Sequence, residues 1–460
     1  MPASTLQHPK RPRFFAHHLS LAINGLLLGT ALSVPAQAIS YGIYDSRGLA
    51  MGGAAAAVGT PAQAAFYNPA LLSFHDGEEE DSRDGRVYVP NIVGQISSAS
   101  ESAINAIDDE LDLQLSSAVN EFNITNSTAA AGSVSNTSKD LRDILDDIAN
   151  QDLRVDSFIG FNISEPSQRE GGAFYVGVRL IGAGRANVSA EDHALLDTYI
   201  SAMDSYVASG DLAQVSTQYP GLINSAGQLI DPTDQLNSNA DISALVISEW
   251  GMAMAKEWTF WGQGISFGVT PKLMRVDAFR DTADFNSSID SVDAGINEFE
   301  DSQQTHYSFN ADLGIAATIA EHYRISFSLK DAFAKTFTTH QEPDPITGIA
   351  PPDLSLKLSS RSRMGLAYVR EGFSLGLDYD LSAAAPMANE AETQELSFGA
   401  EYTILRGLAL RAGYRQDQVG NSGAISSFGI GYQWRRMVVD IAYASGSEVK
   451  AGGLQLGWTF

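Results

Sequence analysis

The chain ends in Leu454-Gln455-Leu456-Gly457-Trp458-Thr459-Phe460, where apolar residues alternate with small or polar ones. Successive side chains of a β-strand point to opposite faces, so this stretch predicts a strand with one apolar and one polar face. Such a strand fits the wall of a membrane β-barrel, whose outer face meets lipid and whose inner face meets a polar lumen. A soluble β-sandwich can also end in an alternating strand, so the fold depends on the rest of the chain.

The same alternation recurs from residue 86 onward, and short turns such as Arg370-Glu371-Gly372 and Trp434-Arg435-Arg436 join long segments. Many of these segments exceed the five or six residues usual in soluble sheets. Their second face carries charges and glycine rather than half of an apolar core. The sequence therefore predicts an all-β fold, a transmembrane antiparallel β-barrel of about fourteen strands. The predicted strands are 86–97, 155–164, 172–189, 242–256, 262–278, 304–319, 323–339, 354–370, 372–384, 393–404, 407–418, 423–435, 437–448 and 452–460.

The amino end, residues 1–38, is typical of a secretory signal peptide. Lys10, Arg11 and Arg13 are basic, a leucine-rich apolar segment follows, and Ala36-Gln37-Ala38 has the small-x-small pattern of a cleavage site. Beyond this segment no apolar run approaches the ~20 residues that a membrane-spanning helix needs.

Charge and composition exclude several classes of function. The net charge of -26 disfavours nucleic acid as a partner, because phosphate would be repelled. The chain has no cysteine and no metal-ligand spacing, so neither a cofactor nor a metal is expected. Gly-x-Ser-x-Gly occurs at 264–268 and 372–376, but both matches lie inside predicted strands rather than in a nucleophile elbow. We expect no catalytic residues and no enzyme activity.

Two long insertions, 99–154 and 191–240, interrupt the strands with apolar residues at helical spacing. Polar sequence at 123–137 is predicted to separate helices within the first insertion. Both insertions lie opposite the short turns, so we expect extracellular helical loops that pack on each other over the barrel mouth. They would form either a cap or a binding vestibule.

Charged residues on the polar faces of the strands are expected to face the lumen. They would form a solvated network or, alternatively, a device for selectivity. The lumen-facing candidates are Arg324, Asp378, Asp380, Arg411 and Arg415.

A segment of small residues precedes the strands. It contains Ser46-Arg47-Gly48-Leu49-Ala50-Met51-Gly52-Gly53-Ala54 and then Ala64-Ala65-Phe66-Tyr67-Asn68-Pro69-Ala70-Leu71-Leu72. These two motifs resemble the amino end of the FadL-type outer-membrane transport superfamily, and in particular its TraF-like branch. The resemblance covers roughly thirty residues of motif and agrees with the chain length and the strand count.

The resemblance implies a plug, or hatch, over residues 39–85 inside a barrel formed by residues 86–460. In the plug motif, Arg47, Gly52, Gly53, Asn68, Pro69 and Ala70 are the candidate site residues. Pro69 should hold Asn68 out of the helical region, and the two glycines should permit close passage along a wall.

We therefore expect a monomeric protein of the cell outer membrane, in contact with outer-membrane lipid, that passes a small hydrophobic or amphipathic ligand. The alternative is a barrel that does not transport and serves as a scaffold or docking protein for a conjugation or secretion apparatus. A continuous apolar cavity would favour transport, whereas a lumen filled with salt bridges would count against it. Trp458 and Phe460 resemble the terminal signal that the barrel-assembly machinery reads in outer-membrane proteins.

Overall fold

The computed structural model describes residues 41–74, 85–108, 111–149, 151–166, 169–260, 263–284, 302–319, 321–339, 355–384, 392–405, 407–420 and 423–460. The predicted signal segment, residues 1–38, and residues 39–40 and 75–84 of the predicted plug segment lie outside these ranges.

The fold is one closed barrel of fourteen antiparallel strands, as the sequence predicted. Strand β1 pairs with both β2 and β16, so the sheet has no free edge. The strands are β1 (Arg86–Ser97), β2 (Asp152–Glu165), β3 (Glu170–Asn187), β4 (Asn239–Phe260), β5 (Gln263–Asp284), β6 (Gln304–Ile319), β7 (Tyr323–Lys330), the separate pair β8 (Lys335–Thr338) and β9 (Ser355–Leu358), β10 (Arg361–Arg370), β11 (Phe373–Asp380), β12 (Glu395–Leu405), β13 (Leu408–Asp417), β14 (Ile425–Trp434), β15 (Met437–Gly446) and β16 (Val449–Thr459).

Two of the predicted strands, 323–339 and 354–370, are wrong as continuous barrel strands. The chain leaves the wall after β7 because Asp331 adopts a left-handed conformation, with φ of 51°, and its backbone N–H donates to Oδ1 of Asp312 at 2.8 Å. Strands β8 and β9 then pair only with each other, as a hairpin that makes no strand pairing with the barrel.

The outward faces of the barrel carry exposed apolar side chains. Leu366, Phe428 and Ile441 are each at least 50% exposed, although they sit in the middle of strands. Exposed aromatic residues gather near the end where short turns join the strands, which we call the short-turn end. These aromatic residues include Trp258, Tyr323, Tyr402, Tyr432, Trp434 and Trp458. An apolar belt bordered by aromatic residues is the surface that a barrel presents to lipid, so the wall spans a membrane.

Seven α-helices complete the described part of the chain, two before the barrel and five in the insertions. The insertion helices share a buried core that includes Phe122, Val134, Leu145, Leu196 and Met203, so they pack on each other as predicted. The helices are α1 (Ser46–Ala50), α2 (Ala64–Tyr67), α3 (Ser98–Asp108), α4 (Leu111–Thr125), α5 (Thr128–Ile148), α6 (Ala190–Ser209) and α7 (Leu212–Gln218).

The contacts of this helical domain hold it beside the wall rather than over the mouth, which corrects the expected position. Leu153 and Ala240 belong to its core and lie on outward-facing positions of β2 and β4. On β16, the outward-facing Lys450 forms an ion pair with Glu101 of α3 at 2.6 Å. The predicted polar separator at 123–137 is also largely helical, because Ser127 caps the start of α5 by accepting a hydrogen bond from Ala130 N.

Candidate functional site

Residues 41–74 fill the barrel as a plug. The plug contains α1, α2 and two 3-10 turns, Pro61–Gln63 and Pro69–Ser73, and nearly all of its residues are buried. Its small side chains make this fit possible, since larger ones would meet the inner wall. The plug therefore occupies the lumen.

Side chains of the wall hold the plug chiefly by its main chain. Asp378 accepts hydrogen bonds from the backbone N–H groups of Ala55 and Ala56 at 2.8 and 2.7 Å. Other wall side chains donate to plug carbonyls. These donors are Ser266 to Ala70, Ser326 to Ala56, Lys330 to Phe66, Arg363 to Gly53 and Ser427 to Ala50.

Gly52 and Gly53 lie where the plug passes against β12 and β13. Both have positive φ, 66° and 88°, a backbone conformation that residues other than glycine rarely adopt. A Cβ on Gly52 would stand 2.7 Å from the backbone N of Tyr414. Both conformation and space therefore require glycine at position 52.

The Asn68-Pro69-Ala70 motif forms a fixed bend. Asn68 is extended, with φ of -153°, so Pro69 begins the second 3-10 turn and the preceding helix α2 ends. The Asn68 side chain donates to the carbonyl of Ala56 at 3.0 Å and accepts from the N–H of Ala70 at 3.1 Å. The predicted bend is confirmed, and the Asn68 side chain joins two parts of the plug.

Arg47 anchors the plug to the wall by charge. Its Nε lies 2.9 Å from Oε2 of Glu401, and its Nη1 donates to Gln63 at 2.6 Å. Glu401 also pairs with Arg411, which in turn pairs with Asp440. Within the plug, Asp45 caps α1 by accepting from Gly48 N, and burial raises the pKa of this carboxyl above its usual range.

A ring of buried ion pairs lines the lumen around the plug. Three of its cations are Arg179, Lys272 and Arg363, and each has a carboxylate within 3 Å. The pairs are Arg179 with Asp156, Lys272 with Glu249, Asp312 and Asp331, Arg363 with Asp380 and Glu395, and Arg415 with Glu395. Removing one member of such a pair would leave a buried charge uncompensated.

Beyond the ion pairs, toward the end with the long loops, the inner faces of β3, β4 and β5 become apolar. Phe337 of β8 and Leu358 of β9 cover this surface from inside the barrel, and the ring of His306 of β6 packs against that of Phe337 at a tilt of 44°, with ring centroids 5.3 Å apart. We call the surface the apolar wall. It consists of Ile181, Ala183, Leu245, Ile247, Met274, Val276 and Ala278.

Two polar cavities of about 720 and 460 Å³ open at the short-turn end. Arg47, Thr60, Glu401 and Thr403 line both of them. The ion pair that anchors the plug is therefore accessible from this end of the barrel.

The structure places all five charged candidates from the sequence on the inner face. Asp378, Asp380, Arg411 and Arg415 make the contacts already described, and Arg324 lies over the ring of Phe74, with its Cζ 5.0 Å from the centroid. Trp458 and Phe460 instead lie on the outer face at the short-turn end, and Phe460 N donates to Gly85 O.

Sequence reasoning missed three buried members of the network, Arg179, Lys272 and Arg363. A usable signal existed, because an isolated charge within a membrane-spanning strand has to face the lumen. Ser266, in the first Gly-x-Ser-x-Gly match, lies within β5 and donates to Ala70 O, so it is not part of a strand–turn–helix elbow.

Within the described ranges, His, Asp and Glu side chains form no group of three that could hold a metal ion. In the same part of the chain, no helix combines the length and apolarity needed to cross a membrane.

A protein-family model described as "F plasmid transfer operon, TraF, protein" matches residues 65–380. This match covers well over half of the chain, and the chain belongs to this family. The TraF-like resemblance is thereby confirmed, although the first motif, residues 46–54, lies outside the matched range. A comparison with curated proteins gave no significant match.

Several solved structures are similar to the barrel. A Pseudomonas aeruginosa FadL homologue shares 10% identity at a TM-score of 0.47, over 92% of this chain and 100% of its own. The Pseudomonas putida toluene transporter TodX shares 11% identity at a TM-score of 0.44, over 92% of this chain and 98% of its own. The monoaromatic hydrocarbon channel CymD shares 11% identity at a TM-score of 0.43, over 91% of this chain and 97% of its own.

Proposed function

We propose that this chain is an outer-membrane transporter for small hydrophobic or amphipathic compounds, with the plug as its closed gate. The apolar wall is the observation that carries the proposal. A barrel lumen is ordinarily polar, yet here Leu245, Ile247, Met274 and Val276 make part of the lumen apolar. Binding sites for small molecules are concave and mostly apolar, with a few polar groups at the edge.

The layering of the lumen suggests an order of events. Long loops of outer-membrane barrels are extracellular, so the apolar wall faces the cell exterior and the plug lies on the periplasmic side of it. A compound would replace Phe337 and Leu358 on the apolar wall. It would leave only after the plug shifts, because the plug now fills the path.

The second candidate is a sealed barrel that docks partners for a conjugation apparatus. The buried ion pairs that fix the plug, such as Arg47 with Glu401, favour it, because they hold the lumen shut. Membership in the TraF family points in the same direction.

A disulfide between plug and wall separates the two candidates. The Oγ atoms of Ser73, in the plug, and Ser266, on β5, are 2.5 Å apart. The chain has no cysteine, so the double variant Ser73→Cys/Ser266→Cys introduces a single pair of thiols. The distance between the two native Oγ atoms is close to the ~2.05 Å length of an S–S bond. Oxidation would lock the plug, and reduction would release it.

Uptake of a labelled fatty acid and of toluene would be measured in a deletion strain that carries this variant. If the protein transports, the double variant should take up the compounds only under reducing conditions. The single variant Ser73→Cys is the control, and its uptake should not depend on the oxidant. Uptake that oxidation leaves unchanged contradicts a gating plug. If the strain takes up neither compound and the locked variant fully restores conjugative transfer, the sealed docking barrel is correct instead.

A further inference from the structure

A groove lies on the lipid-facing side of the wall, where β2, β3, β4 and β5 approach the short-turn end. Its volume is about 1010 Å³, which compares with the ~300–1,000 Å³ of small-molecule sites. Phe174 and Met254 line it and are 38% and 48% exposed, whereas their neighbours Ala173 and Ala253 pack with the plug on the other face. This outer groove is therefore separate from the lumen that the proposed transport uses.

The outer groove exists because one outward-facing position carries no side chain. Gly172 of β3 lies between Glu165 of β2 and Met254 of β4 in the strand register. A Cβ on Gly172 would meet only the backbone oxygen of Ala253, at 3.9 Å, so the position is open. Glycine within a strand weakens it and often marks the close approach of a ligand. The apolar side chains that line the groove are those of Ile163, Phe174, Met252, Met254, Phe267 and Val269.

The end of the outer groove nearest the short turns is charged. Glu165 ends β2, Glu170 begins β3, and Lys256 lies opposite Glu170 near the end of β4. Lys256 Nζ is 3.2 Å from Oε2 of Glu170 and 5.7 Å from the ring centroid of Trp258. Trp258 belongs to the aromatic border of the wall, so these charges lie at the depth of the lipid head groups.

The charges at this end define the head group that fits them. Arg169 and Glu257 are close in sequence but line the larger polar cavity at the short-turn end instead. The groove itself offers one ammonium, on Lys256, and two carboxylates, on Glu165 and Glu170. A phosphate would pair with the ammonium, and a second, positive group would pair with the carboxylates. A head group with negative charge alone would be repelled by the two carboxylates.

We propose that the outer groove binds a phosphatidylethanolamine-type phospholipid from the membrane leaflet at the short-turn end. Its phosphate lies on Lys256, its primary ammonium donates to Glu165 and Glu170, and an acyl chain covers Gly172. The head group extends the pair of Lys256 with Glu170 into a network in which each charge has an opposite neighbour. A choline head group cannot replace it, because a quaternary ammonium has no N–H to donate. The inference goes beyond the proposed transport and assigns the wall a lipid site.

Three dioleoyl phospholipids with ethanolamine, glycerol and choline head groups test this assignment, because they share acyl chains. Native mass spectrometry of the purified full-length barrel in detergent gives the dissociation constant of the first bound lipid. We expect the ethanolamine lipid to bind about threefold or more tightly than the other two, as for an exposed ion pair. Gly172→Leu should fill the groove and abolish this preference.

Gly452→Leu is the matched control, because it makes the same change on the outer face of β16. Gly452 pairs with the exposed Tyr443, and nothing lies within 4 Å of the point where its Cβ would stand. This variant should keep the preference. The double variant Glu165→Gln/Glu170→Gln leaves the groove open, and should bind the glycerol lipid at least as tightly as the ethanolamine lipid. A purely structural role of the carboxylates would instead weaken all three lipids together.

Equal affinity of the native protein for the three lipids, or tighter binding of the glycerol or choline lipid, overturns the assignment, and neither result depends on how a variant folds. A preference that survives Gly172→Leu, or that Gly452→Leu removes equally, also overturns it, because the lipid then binds elsewhere. The outer groove lies outside the lumen, so the oxidation-dependent uptake of the Ser73–Ser266 variant stays a separate test of transport.

Discussion

Single residues of the plug are determined by how closely the wall approaches them. Gly52 has no room for a side chain, and Asn68 uses its amide to join two plug segments. The sequence predicted the bend at Pro69, because the restriction that proline places on its predecessor is local. It did not reveal that Arg47 pairs with Glu401, since alternation assigns a residue to a face but not to a depth or to a partner 354 positions away.

Gly52→Ala should unseat the plug. The left-handed conformation costs a non-glycine residue about 1–2 kcal/mol, and here the contact with Tyr414 N is added. Each 1.4 kcal/mol corresponds to about tenfold in the unseated population. In a Ser73→Cys background, labelling of the buried thiol by a maleimide should therefore accelerate about tenfold or more.

Gly210→Ala is the matched control for this change. Gly210 has the same φ of 66°, but it caps α6 outside the plug and nothing lies within 4 Å of the point where its Cβ would stand, so labelling of the plug thiol should stay at the native rate. Equal labelling of the thiol in the two variants would show that the substitution at Gly52 does not unseat the plug.

At the scale of elements, the β8–β9 hairpin is what the sequence concealed. Its strands read as extensions of β7 and β10, because β-forming residues follow β7 and precede β10 and the break at Asp331 carries no proline or glycine. The outward-lying helical domain was equally hidden. Helical spacing gives the apolar face of a helix, but it does not give the surface that this face will cover.

Phe337→Ala should uncover the apolar wall. Truncating a buried phenylalanine costs about 3–5 kcal/mol, and this loss should free the hairpin from the lumen. Because a self-occupied site lowers apparent affinity, the variant should bind toluene more tightly than the native protein. Titration calorimetry on the purified barrel gives the affinity, and hydrogen exchange at residues 335–338 reports the release of the hairpin.

Phe333→Ala is the control here, since Phe333 is 51% exposed and lies just before the same hairpin. It should change neither the toluene affinity nor the exchange. Faster exchange in Phe337→Ala without tighter toluene binding would mean that the apolar wall serves only to hold the hairpin.

At the scale of the whole molecule, closure depends on the strand that ends the chain. Strand β16 pairs with β15 and with β1, and Trp458 lies opposite both Met437 and Val87. Strand number and the two faces of the wall were predictable, because a period of two residues persists over long segments. The unequal strand lengths were not: β4 and β5 each have 22 residues, longer than predicted, whereas β13, β14 and β15 each have 10.

Deleting residues 458–460 should prevent assembly, because it removes pairing on both sides of the closing seam. The measurement is the heat-modifiable mobility of folded barrel in isolated outer membranes. The double variant Trp458→Ala/Phe460→Ala keeps the backbone, so it separates loss of pairing from loss of the aromatic side chains. Normal assembly of the deletion would show that the barrel closes without this end of β16.

The hold of the wall on plug carbonyls and N–H groups has an evolutionary consequence. Main-chain atoms are common to every residue except proline, so mutations among the alanines of the plug leave Asp378, Ser326 and Ser427 with the same partners. Descendants of this protein are then free to vary the identity of plug residues within a limit of size. The plug sequence can therefore change while the wall side chains that hold its main chain stay the same.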